Sequence, residues 1–263
     1  MREYLDDFHR DLNDISNTFS MLRALEDLRT IEIPVDLAST PLIDKAVELH
    51  PLVDTARNGM AKIPGIFILY IGGRFEDFVK TIFEEFSIQF AHKYPNYQAL
   101  PSKFKTAIIN DTSQVISSPK KYGYRDGMQK TFIENLFKNV IQDDFTTINH
   151  QCLSITEGNM RPDVLSDLFS KLAITEIWTT IGQQMSIRNW FETTDIVFAS
   201  NSAKKYLDDF MTQRNQVAHP SGGSFTWPSY DDVIKHIDFF KVLSPVLIEL
   251  GSMKINSIQV QVS

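Results

Sequence analysis

Between Glu3 and Leu28 the apolar residues Leu5, Phe8, Leu12, Ile15, Phe19, Leu22, Leu25 and Leu28 recur every three or four positions, which predicts a long amphipathic helix. Thr40 before Pro41 reads as an N-cap with proline in the first turn, opening a second helix toward Arg57 in which Pro51 is a candidate kink. The most hydrophobic segment, Gly65 to Tyr94, carries Phe67, Leu69, Phe75, Phe78, Val79, Ile82, Phe83, Phe86 and Phe90 and predicts the central core helix. From Pro95 to Gly127 the period breaks down around Pro101, Pro119, Gly123 and Gly127, so this stretch reads as a loop containing a helix fragment. Helical spacing returns over Met128 to Ile141, in a short helix opened by Pro162, over Asp195 to His219, and over Ser229 to Leu250. In the tail, Ile258, Val260 and Val262 alternate, the pattern of a short strand. The expected fold is a single all-α domain: an N-terminal elaboration over 1–62, a core over 63–250 with an inserted loop at 95–127, and a tail over 251–263.

At 263 residues and 43% hydrophobic content the chain can bury a substantial core. Its net charge of -7 argues against a protein that binds nucleic acid over its whole surface, so any such contact requires a local patch. One patch stands out. Lys93, Lys103, Lys105, Lys120, Lys121, Arg125 and Lys130 face only Asp111 and Asp126 over that span, with Tyr94, Tyr97, Tyr122 and Tyr124 interleaved. Such a segment could track an RNA backbone while tyrosines stack on bases; a solvated loop is the plainer reading. A single cysteine, Cys152, excludes an intrachain disulfide and a Cys-rich zinc module. His9, His50, His92, His150 and His236 show no metal-ligand spacing, so no metal or other cofactor is expected. The opening MREYLDDFHR has no apolar signal core, and the apolar run from Ile63 to Ile71 is broken by Pro64 and Gly65 and too short to span a bilayer. A soluble, cytoplasmic protein without a membrane partner is expected.

The chemistry concentrates at one helix end. Tyr206, Leu207, Phe210, Met211, Val217 and Ala218 form an apolar stripe, yet Arg214 falls within it, four residues from both Phe210 and Ala218. An unpaired buried charge is costly, so this guanidinium must meet a carboxylate, a crevice or a subunit interface. His219 precedes Pro220 and Ser221-Gly222-Gly223, which places its imidazole at the helix C-terminus. Asn215 and His219, four apart, share a face. Arg214 and His219 are five apart, about 140° around a helix of 3.6 residues per turn, so one helix alone does not aim both at one atom, and bringing them together takes a curved crevice or the same helix from a second subunit.

Arg214-Asn215-Gln216-Val217-Ala218-His219 resembles the R-N-x-x-A-H form of the Arg-x(4 to 6)-His motif of the HEPN superfamily, helical nuclease domains of prokaryotic toxins and defence systems. The stretch Tyr70 to Glu76 is similar to the early helix with an embedded acid. Asn159-Met160-Arg161 resembles the linker of RiboL-PSP-HEPN and related stand-alone families. Pro220 departs from the small residue that follows the histidine in those families. The resemblance implies an all-α HEPN-like bundle and a metal-independent endoribonuclease acting as a homodimer on RNA. In that scheme His219 is general base or acid, Arg214 neutralises phosphorane charge, and Asn215 orients the histidine or holds the scissile phosphate. Lys120, Lys121, Arg125 and Glu76 are the substrate-binding candidates, Glu76 pairing either with Arg74 on its own helix or with Arg214. The alternative is a catalytically silent HEPN module that binds a partner such as an antitoxin or a defence protein. Gly72 and Gly73 read as sites of close helix packing, since no phosphate-loop pattern surrounds them.

Overall fold

The computed structural model describes residues 1–28, 30–31, 40–125, 127–156, 158–220 and 226–258. Among them the regular structure is helical throughout: α1 (Arg2–Leu28), α2 (Pro41–Met60), α3 (Ile63–Ala91), α4 (Ser102–Ser117), α5 (Met128–Ile141), α6 (His150–Leu153), α7 (Pro162–Lys171), α8 (Ile177–Gln183), α9 (Met185–Trp190), α10 (Ile196–Ala218) and α11 (Tyr230–Ser257). Two 3₁₀ turns, Tyr97–Ala99 and Pro119–Tyr122, flank α4. No helix of the described residues is long and apolar enough to cross a membrane.

The central helix is α3. Phe75, Phe78, Phe83, Phe86 and Phe90 are all buried along it, each contributing on the order of 1.5–3 kcal/mol of transfer free energy. Around it pack α1, α10 and α11. Phe8 of α1 stacks on Phe78 at 4.9 Å between ring centroids, and Phe240 of α11 lies 4.5 Å from Phe75. The α11 start is fixed by a capping box in which Ser229 accepts from the Asp232 N–H and the Asp232 side chain accepts from the Ser229 N–H. Thr40 caps α2 by accepting from the Ile43 N–H, and Pro51 lies inside that helix.

Two expectations are corrected. The 95–127 loop contains a sixteen-residue helix, α4, which buries Phe104, Ala107, Ile108, Thr112 and Val115 and sets the Phe104 ring 5.0 Å from that of Phe90. The apolar stripe is real, but alanine and threonine occupy two of its inward positions, so hydrophobic spacing alone understates it. The tail is helical through Ser257, which removes the first part of the strand reading because α11 continues to bury Ile255. The rest of that reading falls on 259–263, outside the described residues.

Candidate active site

α10 starts where Asp195 accepts hydrogen bonds from the Val197 and Phe198 N–H groups, satisfying two of the free donors of the first turn. Its apolar stripe of Ala199, Ala203, Leu207, Phe210, Met211 and Val217 is buried. The helix crosses α3 at glycines. A Cβ on Gly72 would stand 3.2 Å from Arg214 Cγ and 3.6 Å from Phe210 Cε1, and one on Gly65 would stand 3.1 Å from Val217 Cγ1. Gly72 is thus the position at which an arginine can sit in the stripe. Its aliphatic stem lies against the α3 backbone at Gly72, and the residue as a whole is half-buried. Among the described residues no carboxylate pairs with it.

Asn215, also half-buried, binds both its neighbour and a residue from elsewhere in the chain. Arg214 Nη1 donates to Asn215 Oδ1 at 3.3 Å, and Asn159 Nδ2 donates to the same oxygen. Asn159 belongs to the segment that runs into α7. There Met160 is fully buried, and Arg161 donates to Asp208 Oδ1 at 2.5 Å and to Thr212 Oγ1 at 3.3 Å. Asp208, Thr212, Asn215 and His219 recur at three- and four-residue steps, so this segment lies along the α10 face that carries the motif. The backbone N–H of His219 closes the helix on Asn215 O at 2.9 Å, and its side chain is exposed.

The other sequence-picked residues divide. Glu76 pairs with neither Arg74 nor Arg214: it holds Lys80 at 2.7 Å and accepts from Thr156 Oγ1 at 3.5 Å, while Arg74 pairs with Asp11 and Asp77. Lys121 lines a groove of about 330 Å³ with Lys80, Glu84 and Thr156, which joins the basic segment to the α3 face next to Glu76. Lys120 and Arg125 are exposed on the same segment. Three of its four tyrosines are taken up by packing, while Tyr122 is half-buried and lines that groove. Tyr97 is buried, Tyr94 lies against Phe90, and Tyr124 meets Phe132 edge-on while its hydroxyl donates to Gln151 O. Gly73, read as a packing site, faces open space.

A polar relay ties the same turns of α10 to α11. Tyr206 O–H donates to His236 Nδ1 at 2.9 Å, and His236 Nε2 donates to Gln213 Oε1 at 2.9 Å. Burial pushes the His236 pKa down to about 4, so the ring is neutral in this arrangement. Gln213 immediately precedes Arg214, and the relay holds that turn against α11.

Neither Asn159 nor Gln213 was singled out for a contact to the motif or its turn, because each partner is distant in sequence and one chain gives no pairing signal. Among the described residues no group of three or more His, Cys, Asp or Glu could hold a metal ion. What is assembled instead is a guanidinium, a carboxamide and an exposed imidazole on the last two turns of one helix. These groups can grip an oxyanion and move a proton. A family model described as RiboL-PSP-HEPN matches residues 50–249, which span the helices from within α2 to near the end of α11. No curated protein and no solved structure matches the chain.

Proposed function

The chain belongs to the RiboL-PSP-HEPN family, and on that premise we propose that it is a metal-independent endoribonuclease that works as a homodimer in the cytoplasm, in a toxin or antiviral-defence role. The observation that carries this reading is Arg214, seated over Gly72 in an otherwise apolar stripe, with Asn215 and the exposed His219 on the same helix end. A scaffold has no need of a half-buried guanidinium that, among the described residues, meets no carboxylate, on the same helix end as an exposed imidazole.

In the proposed reaction the nucleophile is the substrate's own 2′-hydroxyl. An imidazole removes the 2′-O proton, the 2′-oxygen attacks phosphorus, and the P–O5′ bond breaks with proton delivery to the 5′-oxygen. The ends are a 2′,3′-cyclic phosphate and a 5′-hydroxyl. Arg214 neutralises charge on the phosphorane, His219 carries the proton, and Asn215 orients the histidine or holds the phosphate. Five residues apart, about 140° around one helix, Arg214 and His219 are brought together in this proposal by a second copy, which supplies the complementary group across a twofold axis, in place of a curved crevice within one chain. Residues 63–250 form the nuclease core, with 1–62 as elaboration. Lys120, Lys121 and Arg125 meet flanking RNA backbone, with the Glu76–Lys80 pair at the edge of that track.

The test is incubation of structured and unstructured RNA with purified protein in EDTA beside His219→Ala. Cleavage by the wild type that is lost in the variant supports the nuclease. No cleavage of any RNA, together with tight binding of an antitoxin or defence protein, supports the silent interaction module instead.

A further inference from the structure

The pairing of Asn159 with Asn215 carries a consequence for the polarity of the site. A guanidinium has five N–H donors and no acceptor. The Asn215 atom that faces Arg214 Nη1 is therefore the carbonyl oxygen, and that oxygen also takes the Asn159 amide. With its oxygen occupied by two donors, Asn215 has only its NH₂ group left to offer, and no hydrogen bond from that group reaches any described residue. Asn159 itself is held in place: Met160 beside it is buried, and Arg161 beyond is pinned to Asp208 and Thr212 on the same face of α10.

We infer that Asn159 is a positioning residue, outside the Arg-to-His motif, that locks the Asn215 carboxamide with its NH₂ outward, so that Asn215 and Arg214 form a donor-only clamp for a phosphodiester oxyanion. Of the two roles open to Asn215, this assigns it the phosphate. The inference rests on the nuclease reading for its substrate but not for its geometry, which concerns anion binding alone.

Substitutions of equal shape and opposite polarity separate this role from packing. Asn159→Asp keeps the volume but presents acceptors only, so it expels the Asn215 oxygen and draws Arg214 to itself. Asn159→Ala merely removes one donor. Asn215→Asp keeps both bonds to the oxygen and turns the outward donor into a carboxylate oxygen. With protein labelled with ¹⁵N at asparagine, titration of inorganic phosphate should shift the Asn215 side-chain amide in the wild type and not in Arg214→Ala. The shift should weaken in Asn159→Ala and vanish in Asn159→Asp, with melting temperatures close to wild type. For RNA cleavage in EDTA, kcat should fall by about tenfold in Asn159→Ala, as for one lost hydrogen bond. It should fall on the order of 10²-fold in Asn159→Asp and Asn215→Asp, as when an oxyanion donor is lost, with KM changing less.

A packing role gives the reverse order, Ala worse than Asp, with a lowered melting temperature; that result overturns the inference. So does a wild-type amide indifferent to phosphate, or an Asn159→Asp variant that binds phosphate and cleaves like wild type. If phosphate follows the expected order but no RNA is cut, the clamp stands and the nuclease reading falls. If RNA is cut equally by wild type and Asn159→Asp, the nuclease stands and the clamp falls.

Discussion

Gly72 and Gly73 are neighbours on α3, but a methyl group would meet Arg214 at one and nothing within 4 Å at the other. Replacing each with alanine isolates the placement of the guanidinium from the stability of the scaffold. At Gly72 the new Cβ would lie 3.2 Å from Arg214 Cγ. Carbon atoms prefer about 3.5–4.0 Å, so the stem must retreat by roughly half an ångström. Alanine also gains up to about 1 kcal/mol of helix propensity at either site. At Gly72 this gain offsets the displacement, and at about 2–4 °C per kcal/mol for a domain of this size the melting temperature should stay within a few degrees of wild type. Activity should not stay. A misplacement of about 1 Å can cost on the order of 10²-fold, so half of that predicts a loss of roughly tenfold in kcat/KM. Gly73→Ala should raise the melting temperature slightly and cut RNA at the wild-type rate. Thermal melts and initial-rate RNA cleavage in EDTA are the measurements. Equal cleavage by Gly72→Ala and Gly73→Ala would refute the claim that the α3 backbone sets the position of Arg214.

Two further outcomes are expected. Gly251→Ala on α11 should destabilise by about 1–3 kcal/mol, because its methyl would overlap the fully buried Phe86 ring; a melting temperature unchanged from wild type would show that α3 and α11 can part there at no cost. His236 should make the fold acid-sensitive. Its pKa lies near 4 folded against 6.5 unfolded, so the unfolded chain binds the extra proton and stability falls as pH drops from about 6.5 toward 4, by up to about 3 kcal/mol. Urea melts at pH 7 and pH 5 should show the slope, and His236→Gln should flatten it; an equal slope in that variant would assign the effect to other groups.

Much of the helical order was legible in the sequence, because the apolar period is long and regular in α1, α3, α5, α10 and α11. The start of α2 is marked besides by Thr40 before Pro41. α4 was hidden, since its inward face uses Ala107 and Thr112 and its ends sit among prolines and glycines. The short helices α8 and α9 have too few turns for a period to emerge. In the site, Arg214 was conspicuous because a permanent charge broke an apolar pattern. The groups around it were not: Gly72 and Asn159 reach it from other parts of the chain, and nothing local to either announces the contact. The pairings of Glu76 and Arg74 likewise depend on Lys80, Thr156 and Asp11, among which only geometry chooses.

Similarity to the family begins at residue 50, but cohesion does not. Phe8, Leu12, Ile15 and Phe19 of α1 are all nearly inaccessible to solvent, and His9 reaches Ser244 on α11 at 2.8 Å. Arg23 and Asp231 join the same two helices at their other ends. A boundary drawn by ancestry would therefore run through a greasy seam, and a fragment trimmed to the shared part would carry an open wound along the helix that cradles Arg214. Descent and cooperativity divide this polypeptide at different places, and the second division decides which piece can be handled in a tube.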